Sequence, residues 1–385
     1  MAERNSPLIL GTEPIGKLLI QYSVPAIIAM TVTSLYNIID SIFIGHGVGA
    51  LAIAGLAITF PLMNLVVAFC TLVGIGGATI SSIFLGQKDK VRATEVVHNV
   101  LIMCIINAVC FGGLTFLFLD SILLFFGASH DTLPYARDFM QVILLGTPIT
   151  YVFIGLNNVM RATGYPRKAM FSSLLTVGCN IILAPIFIFS FDWGIRGAAL
   201  ATVVSQTVAM VWVLVHFANK KNFIHFDRRY SRLKVRVVAK IFSIGMSPFL
   251  MNVCACVVVI FINNALQHTG GDLAIGAYGI VNRTLMLFVM IVMGITQGMQ
   301  PIVGYNYGAK QYPRVTKVLK ITIYAATIVT TTGFLMGMFI PRLAVSIFTT
   351  HEELVRISAK GLRIVVMFFP IVGFQMVTSN FFQSI

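Results

Sequence analysis

Ten apolar stretches, each long enough to cross a lipid bilayer, follow one another along this chain of 385 residues. A helix needs about 20 residues to cross the hydrocarbon core, where every backbone polar group must be paired within the structure. Since 57% of the residues are hydrophobic and only 10% are charged, the composition is too apolar for a soluble domain. The sequence therefore predicts an all-α, polytopic membrane protein. The stretches lie at 18–44, 51–85, 93–119, 139–160, 170–191, 197–218, 237–266, 273–304, 315–340 and 361–384.

Positive charge is concentrated on one side of this predicted topology. Of the 27 Lys and Arg residues, 20 lie at the amino terminus or in the loops near residues 88, 165, 230 and 312. Such loops face the cytoplasm, so we expect a cytoplasmic amino terminus. This pattern accounts for the net charge of +14 without a nucleic acid partner. The basic residues of 220–240 are interpreted as a cytoplasmic linker, with a lipid-binding or regulatory patch as the alternative.

An internal repeat appears when the chain is compared with itself at an offset of 222 residues. LAIAGLAI from Leu51 then aligns with LAIGAYGI from Leu273, and LGQKDKVRA aligns with YGAKQYPRV. The same offset places Pro148 on Pro370. We therefore predict two homologous six-helix lobes related by an axis along the membrane normal, with a cavity between them. The predicted domains are an N-terminal lobe at 1–219, a basic linker at 220–236 and a C-terminal lobe at 237–385.

The second lobe holds only four of the six expected spans. Ile385 corresponds to Thr163 in the repeat, and two further spans follow Thr163 in the first lobe. The last two helices of the second lobe are therefore absent from this sequence. We expect a truncated product, with a ten-span variant as the alternative.

Asp40 is the one carboxylate well inside an apolar stretch, near the outer end of SLYNIIDSIFIG. A charge in hydrocarbon costs about 2.5–3.5 kcal/mol even on lenient scales, so it indicates a function. Thr33, Tyr36 and Asp40 share one helix face, which gives the carboxylate two hydroxyl neighbours. Such a group can exchange a proton or bind a small cation such as Na⁺. The alternative is a carboxylate at the helix end that meets water at the interface.

Other polar residues of the first lobe are candidates for the same site. Asn180 lies in the fifth span, and Thr202 and Gln206 lie one turn apart in the sixth. All three could face Asp40, or they could join helices by hydrogen bonds. Asn157, toward the cytoplasmic end of the fourth span, and Gln206 are also predicted to line the substrate cavity. Pro25 removes a backbone hydrogen bond from the first span and is a candidate hinge, or a packing residue.

The second lobe contributes polar side chains but no carboxylate. Asn282, Arg283 and Gln297 are predicted to line the cavity, and Arg283 is a cation inside a span that could contact a substrate or snorkel. Two symmetric ion sites are therefore not expected. The 18 Met and 30 Phe residues suit either an adaptable cavity or lipid contact.

The sequence lacks the motifs of ATP-driven pumps and hydrolases. No phosphate-binding Walker loop, GxSxG elbow or HExxH is present. All six cysteines fall inside predicted spans, so neither a disulfide framework nor a zinc site is expected. We therefore expect a protein that is not an enzyme and has no cofactor other than H⁺ or Na⁺ as coupling ion.

Four segments together resemble the multidrug and toxic compound extrusion (MATE) family, and within it the MepA-like branch. They are SVPAIIAMTVTSLYNIIDSIFIG, NNVMRATGYPRKAM, NIILAPIFIF with WGIRGAALATVVSQ, and GITQGMQPIVGYNYGAK. The resemblance extends over essentially the whole chain. It implies a two-lobed antiporter of twelve spans in the bacterial inner membrane, which exports organic cations in exchange for H⁺ or Na⁺.

The resemblance also implies roles for particular residues. The family's ion-coupling site maps onto Asp40, Tyr36, Asn180 and Thr202, and its bending proline maps onto Pro25. Many members carry an aspartate four residues after the asparagine, where this chain has Ala184. Asp40 is then the lone acid of the site.

The sequence therefore predicts a cation-coupled exporter of amphipathic organic cations, with H⁺ favoured over Na⁺. We expect a monomer that contacts membrane lipids and cationic substrates. One alternative is a lipid-linked oligosaccharide flippase of the same superfamily, which should hold pyrophosphate with several Arg and Lys residues. Another is a membrane scaffold that transports nothing, in which removal of the Asp40 charge would change neither stability nor drug tolerance.

Overall fold

The computed structural model describes residues 8–230, 232–347 and 352–385, and this part of the chain is helical with no strand. The 14 α-helices are α1 (Ile9–Thr12), α2 (Ile15–Gly47), α3 (Ala50–Gly86), α4 (Lys90–Leu117), α5 (Leu119–Phe125), α6 (Leu133–Leu145), α7 (Thr147–Ala162), α8 (Pro166–Pro185), α9 (Gly194–Ala218), α10 (Val235–Gly308), α11 (Tyr312–Phe339), α12 (Pro341–Ser346), α13 (Glu352–Val366) and α14 (Phe369–Phe382). A π-helical turn, Ile186–Ser190, extends α8.

The helices account for all ten predicted membrane crossings. Eight described segments are long and apolar enough to span a bilayer alone. Two bent pairs, α6 with α7 and α13 with α14, supply the other two crossings. The predicted class, an all-α multi-pass membrane protein, is confirmed.

Two crossings that the sequence presents as single apolar stretches are broken helices. The chain bends by 56° between α6 and α7 and by 53° between α13 and α14. Pro148 and Pro370 each lie in the first turn of the second helix of their pair. Proline has no backbone N–H, so the preceding helix ends before it while the following helix begins normally.

The repeat is visible in the helix boundaries. Adding 222 to the bounds of α4 gives the bounds of α11, and the same offset takes the start of α7 to the start of α14. Lys88 and Lys310, which the offset also relates, both adopt left-handed backbone angles, with φ of 61° and 58°. The two halves therefore repeat in backbone conformation as well as in sequence. The end of the bundle that carries Lys88 and Lys310 is called the basic end below.

Helix α10 contains two crossings because it doubles back. A straight helix of 74 residues would be about 111 Å long. Ile241 in its first part nevertheless lies against Gly76 of α3, and Tyr305 in its last part lies against Gly86 of the same helix. The first arm, Val235–Val259, and the second arm, Gly276–Gly308, are therefore separate spans that both pack on α3.

A pair of glycines brings α3 and the second arm of α10 into backbone contact at the basic end. Gly86 lies against Tyr305 and Ala309, and Gly308 lies against Ile83. The offset of 222 relates Gly86 to Gly308 and Ile83 to Tyr305, so the contact is reciprocal. Glycine is required here because a Cβ at either position would overlap backbone atoms of the other helix. This glycine seam closes the interface between the halves at the basic end.

The basic linker is tied to the first half of the chain. Lys234 Nζ lies 2.5 Å from Glu95 Oε1 on α4, and the Lys234 backbone N–H donates to Asn99 Oδ1 at 2.8 Å. Glu95 is buried, so its charge is neutralised inside the protein. Part of the predicted linker lies outside the described residues, and the domain boundaries stay predictions.

Candidate functional site

Asp40 lies in the last third of α2 with one carboxylate oxygen that lacks a partner. Its Oδ1 atom is buried and accepts no hydrogen bond from any described residue. The expected hydroxyl neighbours bond elsewhere: Thr33 Oγ1 donates to the Ala29 carbonyl at 2.8 Å, and Tyr36 bonds to α9. Neither hydroxyl therefore supplies a hydrogen bond to Oδ1. A buried charge without a partner is costly, so this oxygen favours a proton or a cation.

Thr202 on α9 joins two other predicted site residues. Asn180 Nδ2 donates to Thr202 Oγ1 at 3.1 Å, and the Tyr36 hydroxyl lies 3.2 Å from the same atom. The Thr202 hydroxyl donates to the Ala198 carbonyl at 3.2 Å. Since a hydroxyl has one proton, Tyr36 must be the donor to Thr202. Three helices, α2, α8 and α9, are thereby connected one turn away from Asp40.

This network makes Thr202 important for stability. We expect Thr202→Val to lower the free energy of unfolding by about 1–3 kcal/mol, because the buried Asn180 amide and the Tyr36 hydroxyl would lose their partner. Thr207→Val is the matched control on the same helix, since Thr207 Oγ1 bonds only to the Val203 carbonyl of its own turn. Thermal unfolding of the purified variants checks this. Equal melting temperatures for the two variants would contradict it.

Ala184, where many relatives in the resembled family carry aspartate, is fully buried one turn after Asn180. Within the described residues, no three His, Cys, Asp or Glu side chains gather as a metal site. Asp40 therefore has no second carboxylate at position 184 to share a cation with.

Pro25 lies within α2 where that helix packs tightly on the second arm of α10. The helix continues through Pro25, which is buried. On either side of it, the backbones of Ser23 and Ile27 lie against Gly298 and Gly294. The Ser23 hydroxyl also donates to the Ile295 carbonyl at 3.3 Å. The candidate hinge is therefore at a contact between the two halves of the chain.

A central cavity of about 470 Å³ lies between the halves. Helices α2, α3, α7 and α8 form one wall, and both arms of α10 with α14 form the other. Its polar lining consists mainly of amides, with one charged group. The amides are those of Asn157, Asn158, Asn252, Gln297, Asn380 and Gln383, and the charged group is Arg161.

Several residues that line the central cavity occupy equivalent positions in the two repeated halves. The offset of 222 relates Asn158 to Asn380, and it relates Arg161 to Gln383, all four of which line the central cavity. The two halves thus contribute equivalent positions to one cavity. The side chains differ in charge only at the position of Arg161.

Of the predicted cavity residues, the structure brings two to the central cavity. Asn157 and Gln297 line it, although Asn157 also donates to the Ser172 hydroxyl at 2.6 Å and so joins α7 to α8. Gln206 instead accepts a hydrogen bond from Thr150 at 2.5 Å. Asn282 and Arg283 are exposed on α10 and do not line this cavity.

Arg161 is the residue that sequence reasoning missed. It was assigned to a cytoplasmic loop because it lies near the end of an apolar stretch, yet it belongs to the last turn of α7. Its guanidinium Nη1 donates to Gln297 Oε1 on α10. The internal repeat could have predicted Asn380 and Gln383 as lining residues, because the offset of 222 relates them to Asn158 and Arg161.

Two smaller cavities show how the central one continues. A cavity of about 260 Å³ shares Asn252 and Ala255 with it and extends along α3 away from the basic end. Toward the basic end lies a recess of about 20 Å³ beside Arg161 and Gln300, which has room for about one water molecule. Beyond the recess lies the glycine seam. The space between the halves is therefore closed at the basic end and extended at the other.

Comparison with known proteins gives consistent matches over most of the chain. A model of the MatE family matches residues 25–186 and 244–385. The multidrug export protein MepA of Staphylococcus haemolyticus (strain JCSC1435) is 30% identical over 354 residues, which cover 91% of this chain and 77% of that protein. MepA of Staphylococcus aureus (strain MSSA476) is 28% identical over 355 residues, with the same shares covered.

A solved structure shares the fold. A multidrug resistance MATE family transporter of the MOP superfamily, in an outward-facing conformation, superposes with a TM-score of 0.92 at 24% identity. The superposition covers 98% of this chain and 84% of that one.

Proposed function

This chain belongs to the MatE family, and from that premise we propose that it is a cation-coupled antiporter that exports amphipathic organic cations. The observation that supports this most directly is the buried, unpartnered Oδ1 atom of Asp40 beside the network of Tyr36, Thr202 and Asn180. A lone carboxylate in a membrane can be neutralised by a proton or by a cation, and one displaces the other. The names of the MepA relatives support a drug substrate.

We propose that the basic end faces the cytoplasm of a bacterial inner membrane, with the amino terminus on that side. The distribution of Lys and Arg supports this orientation. The glycine seam then closes the cytoplasmic side, and the cavities extend toward the outside. The described conformation corresponds on this proposal to the state that releases substrate outward.

The proposed cycle uses the two forms of Asp40. In the charged form it favours binding of an organic cation, and protonation from outside removes that attraction and releases the cation. The bend at Pro25 would couple this change to the contact of α2 with α10. We propose H⁺ rather than Na⁺ as the coupling ion, a monomer as the working unit, and no further cofactor.

With one acid in the site, exchange of one monovalent cation for one proton moves no net charge. We therefore expect ethidium efflux from liposomes that contain the purified chain to follow an imposed pH gradient, and to be unaffected by an imposed voltage or sodium gradient. Dye fluorescence under each gradient alone provides the measurement. Transport driven by voltage alone would overturn the one-for-one stoichiometry. Transport driven only by a sodium gradient would show that Na⁺, and not H⁺, is the coupling ion.

The flippase alternative finds little support in the central cavity. A pyrophosphate group calls for several cationic side chains. Arg161 is the sole Lys or Arg among the described lining residues.

A further inference from the structure

We propose that Arg161 is an oxyanion-binding position in the central cavity, which receives the carboxylate of zwitterionic amphipathic substrates. This inference depends on the proposed export function, within which it names a specificity-determining position.

The position of Arg161 is the first support. Its guanidinium lines both the central cavity of about 470 Å³ and the recess of about 20 Å³. One nitrogen donates to Gln297 Oε1, and no other hydrogen bond joins the guanidinium to a described residue. A guanidinium has five N–H donors in a planar fork that matches a carboxylate. Donors therefore remain for a ligand in the cavity.

No described residue serves as a counterion for Arg161. No Asp or Glu lines the cavity, and none of the ion pairs between described residues includes Arg161. A cation held inside a membrane protein is costly unless it is paired. The dipole at the end of α7 and the neutral Gln297 amide reduce that cost only in part. An anionic ligand would supply the missing partner through charge-assisted hydrogen bonds.

Orientation in the membrane does not by itself account for this arginine. Arg167, six residues later at the start of α8, is exposed. It therefore supplies positive charge on the cytoplasmic side, as the positive-inside rule requires, without entering the cavity. Arg161 is instead turned toward the second half of the chain. At the equivalent position of the repeat there is Gln383, so the second half has an amide where the first half has a positive charge.

The remaining lining suits a drug-sized zwitterion. A volume of about 470 Å³ lies within the usual range of ligand pockets. Met30, Met251, Met293 and Met376 supply adaptable apolar surface. Asp40 lies ten residues beyond Met30 on α2, about 15 Å farther along the helix. Met30 of the cavity wall and Asp40 therefore belong to the same helix, α2.

A matched pair of dyes tests the proposal. Rhodamine B carries a cation and a carboxylate, and its ethyl ester carries only the cation. Binding to the purified full chain in phosphatidylcholine nanodiscs is measured by fluorescence anisotropy, without any ion gradient. We expect the acid to bind about tenfold to a hundredfold more tightly than the ester. Arg161→Gln, which installs the residue of the repeat counterpart, should remove this preference while ester binding persists.

Two further variants separate charge from structure. Arg161→Lys keeps the charge without the planar fork, and should retain part of the preference. Arg167→Gln removes an exposed charge from the same region, and should leave the preference intact. The proposal is overturned if the native chain does not distinguish acid from ester, or if Arg161→Gln weakens both dyes equally. Displacement of both dyes by phosphatidylglycerol, dependent on Arg161, would also overturn it by assigning the position to lipid phosphate.

These outcomes are separable from the export function. Equilibrium binding needs no gradient, so failure of ethidium transport would leave the preference for the acid in place. Loss of that preference would in turn leave transport of ethidium, which has no carboxylate, as a valid test of antiport.

Discussion

Replacement of Asp40 with asparagine should abolish gradient-driven efflux while the protein remains folded in the membrane. The amide has nearly the shape of the carboxylate but can neither accept a proton nor attract a cation. Because the Oδ1 atom of Asp40 has no described partner, its loss breaks no hydrogen bond at that atom. We therefore expect an equal or higher melting temperature together with ethidium retention at the level of cells without the protein. Efflux from cells at matched membrane abundance measures this effect.

Two variants make the Asp40 result specific. Asp131→Asn removes an exposed carboxylate outside the helices and should not change efflux. Asp40→Glu keeps the charge, displaced by one methylene, and should retain partial activity. Efflux by Asp40→Asn at the native rate would exclude this residue from coupling. If drug tolerance and stability were also unchanged, the chain would behave as a scaffold rather than a transporter.

The second large effect is expected at the glycine seam. A Cβ at Gly86 would lie 2.9 Å from the backbone nitrogen of Ala309, and one at Gly308 would lie 2.9 Å from the carbonyl carbon of Ile83. Backbone atoms cannot turn aside as a side chain can, so α3 and α10 must separate. Overpacking of this kind costs about 1–3 kcal/mol at each site. The double variant Gly86→Ala, Gly308→Ala should therefore favour opening of the basic end.

Hydrogen exchange monitored by mass spectrometry measures this opening. Backbone amides near the seam should exchange about tenfold faster or more in the double variant, since each 1.4 kcal/mol changes the equilibrium tenfold. Gly113→Ala is the control, because a Cβ there meets no atom within 4 Å. That substitution should stabilise α4 slightly, by about 0.5–1 kcal/mol. Unchanged exchange at the seam would show that the contact does not hold the halves together.

The membrane class was readable from the sequence because hydropathy and length are local properties. The repeat was readable for a related reason. Equivalent residues such as Lys88 and Lys310 retain both their sequence context and their left-handed backbone angle. The breaks at Pro148 and Pro370 were not predicted, since a proline in an apolar stretch is compatible with a bent span as well as with two helices.

Part of the candidate site was also within reach. Helical spacing placed Tyr36 and Asp40 on one face, but it could not determine which partner Tyr36 would select. The structure shows that Tyr36 bonds to Thr202, 166 positions away in the chain. The spacing of residues within one helix gives no information about whether a side chain bonds to a neighbour on that helix or to a residue far away in the sequence. For this reason the sequence placed Tyr36 beside Asp40 on the helix but did not predict its hydrogen bond to Thr202.

The sequence by itself determined that this chain is a multi-pass helical membrane protein with two repeated halves and with Asp40 as the one carboxylate well inside an apolar stretch. Those features follow from composition, periodicity and self-similarity, which do not depend on contacts between distant segments. Only the tertiary structure decided that Arg161 enters the central cavity, that Gln206 and Arg283 do not line it, and that glycines close the basic end. The physical reason is that burial and pairing are set by how helices from both halves pack, whereas insertion into the membrane is set by each helix alone.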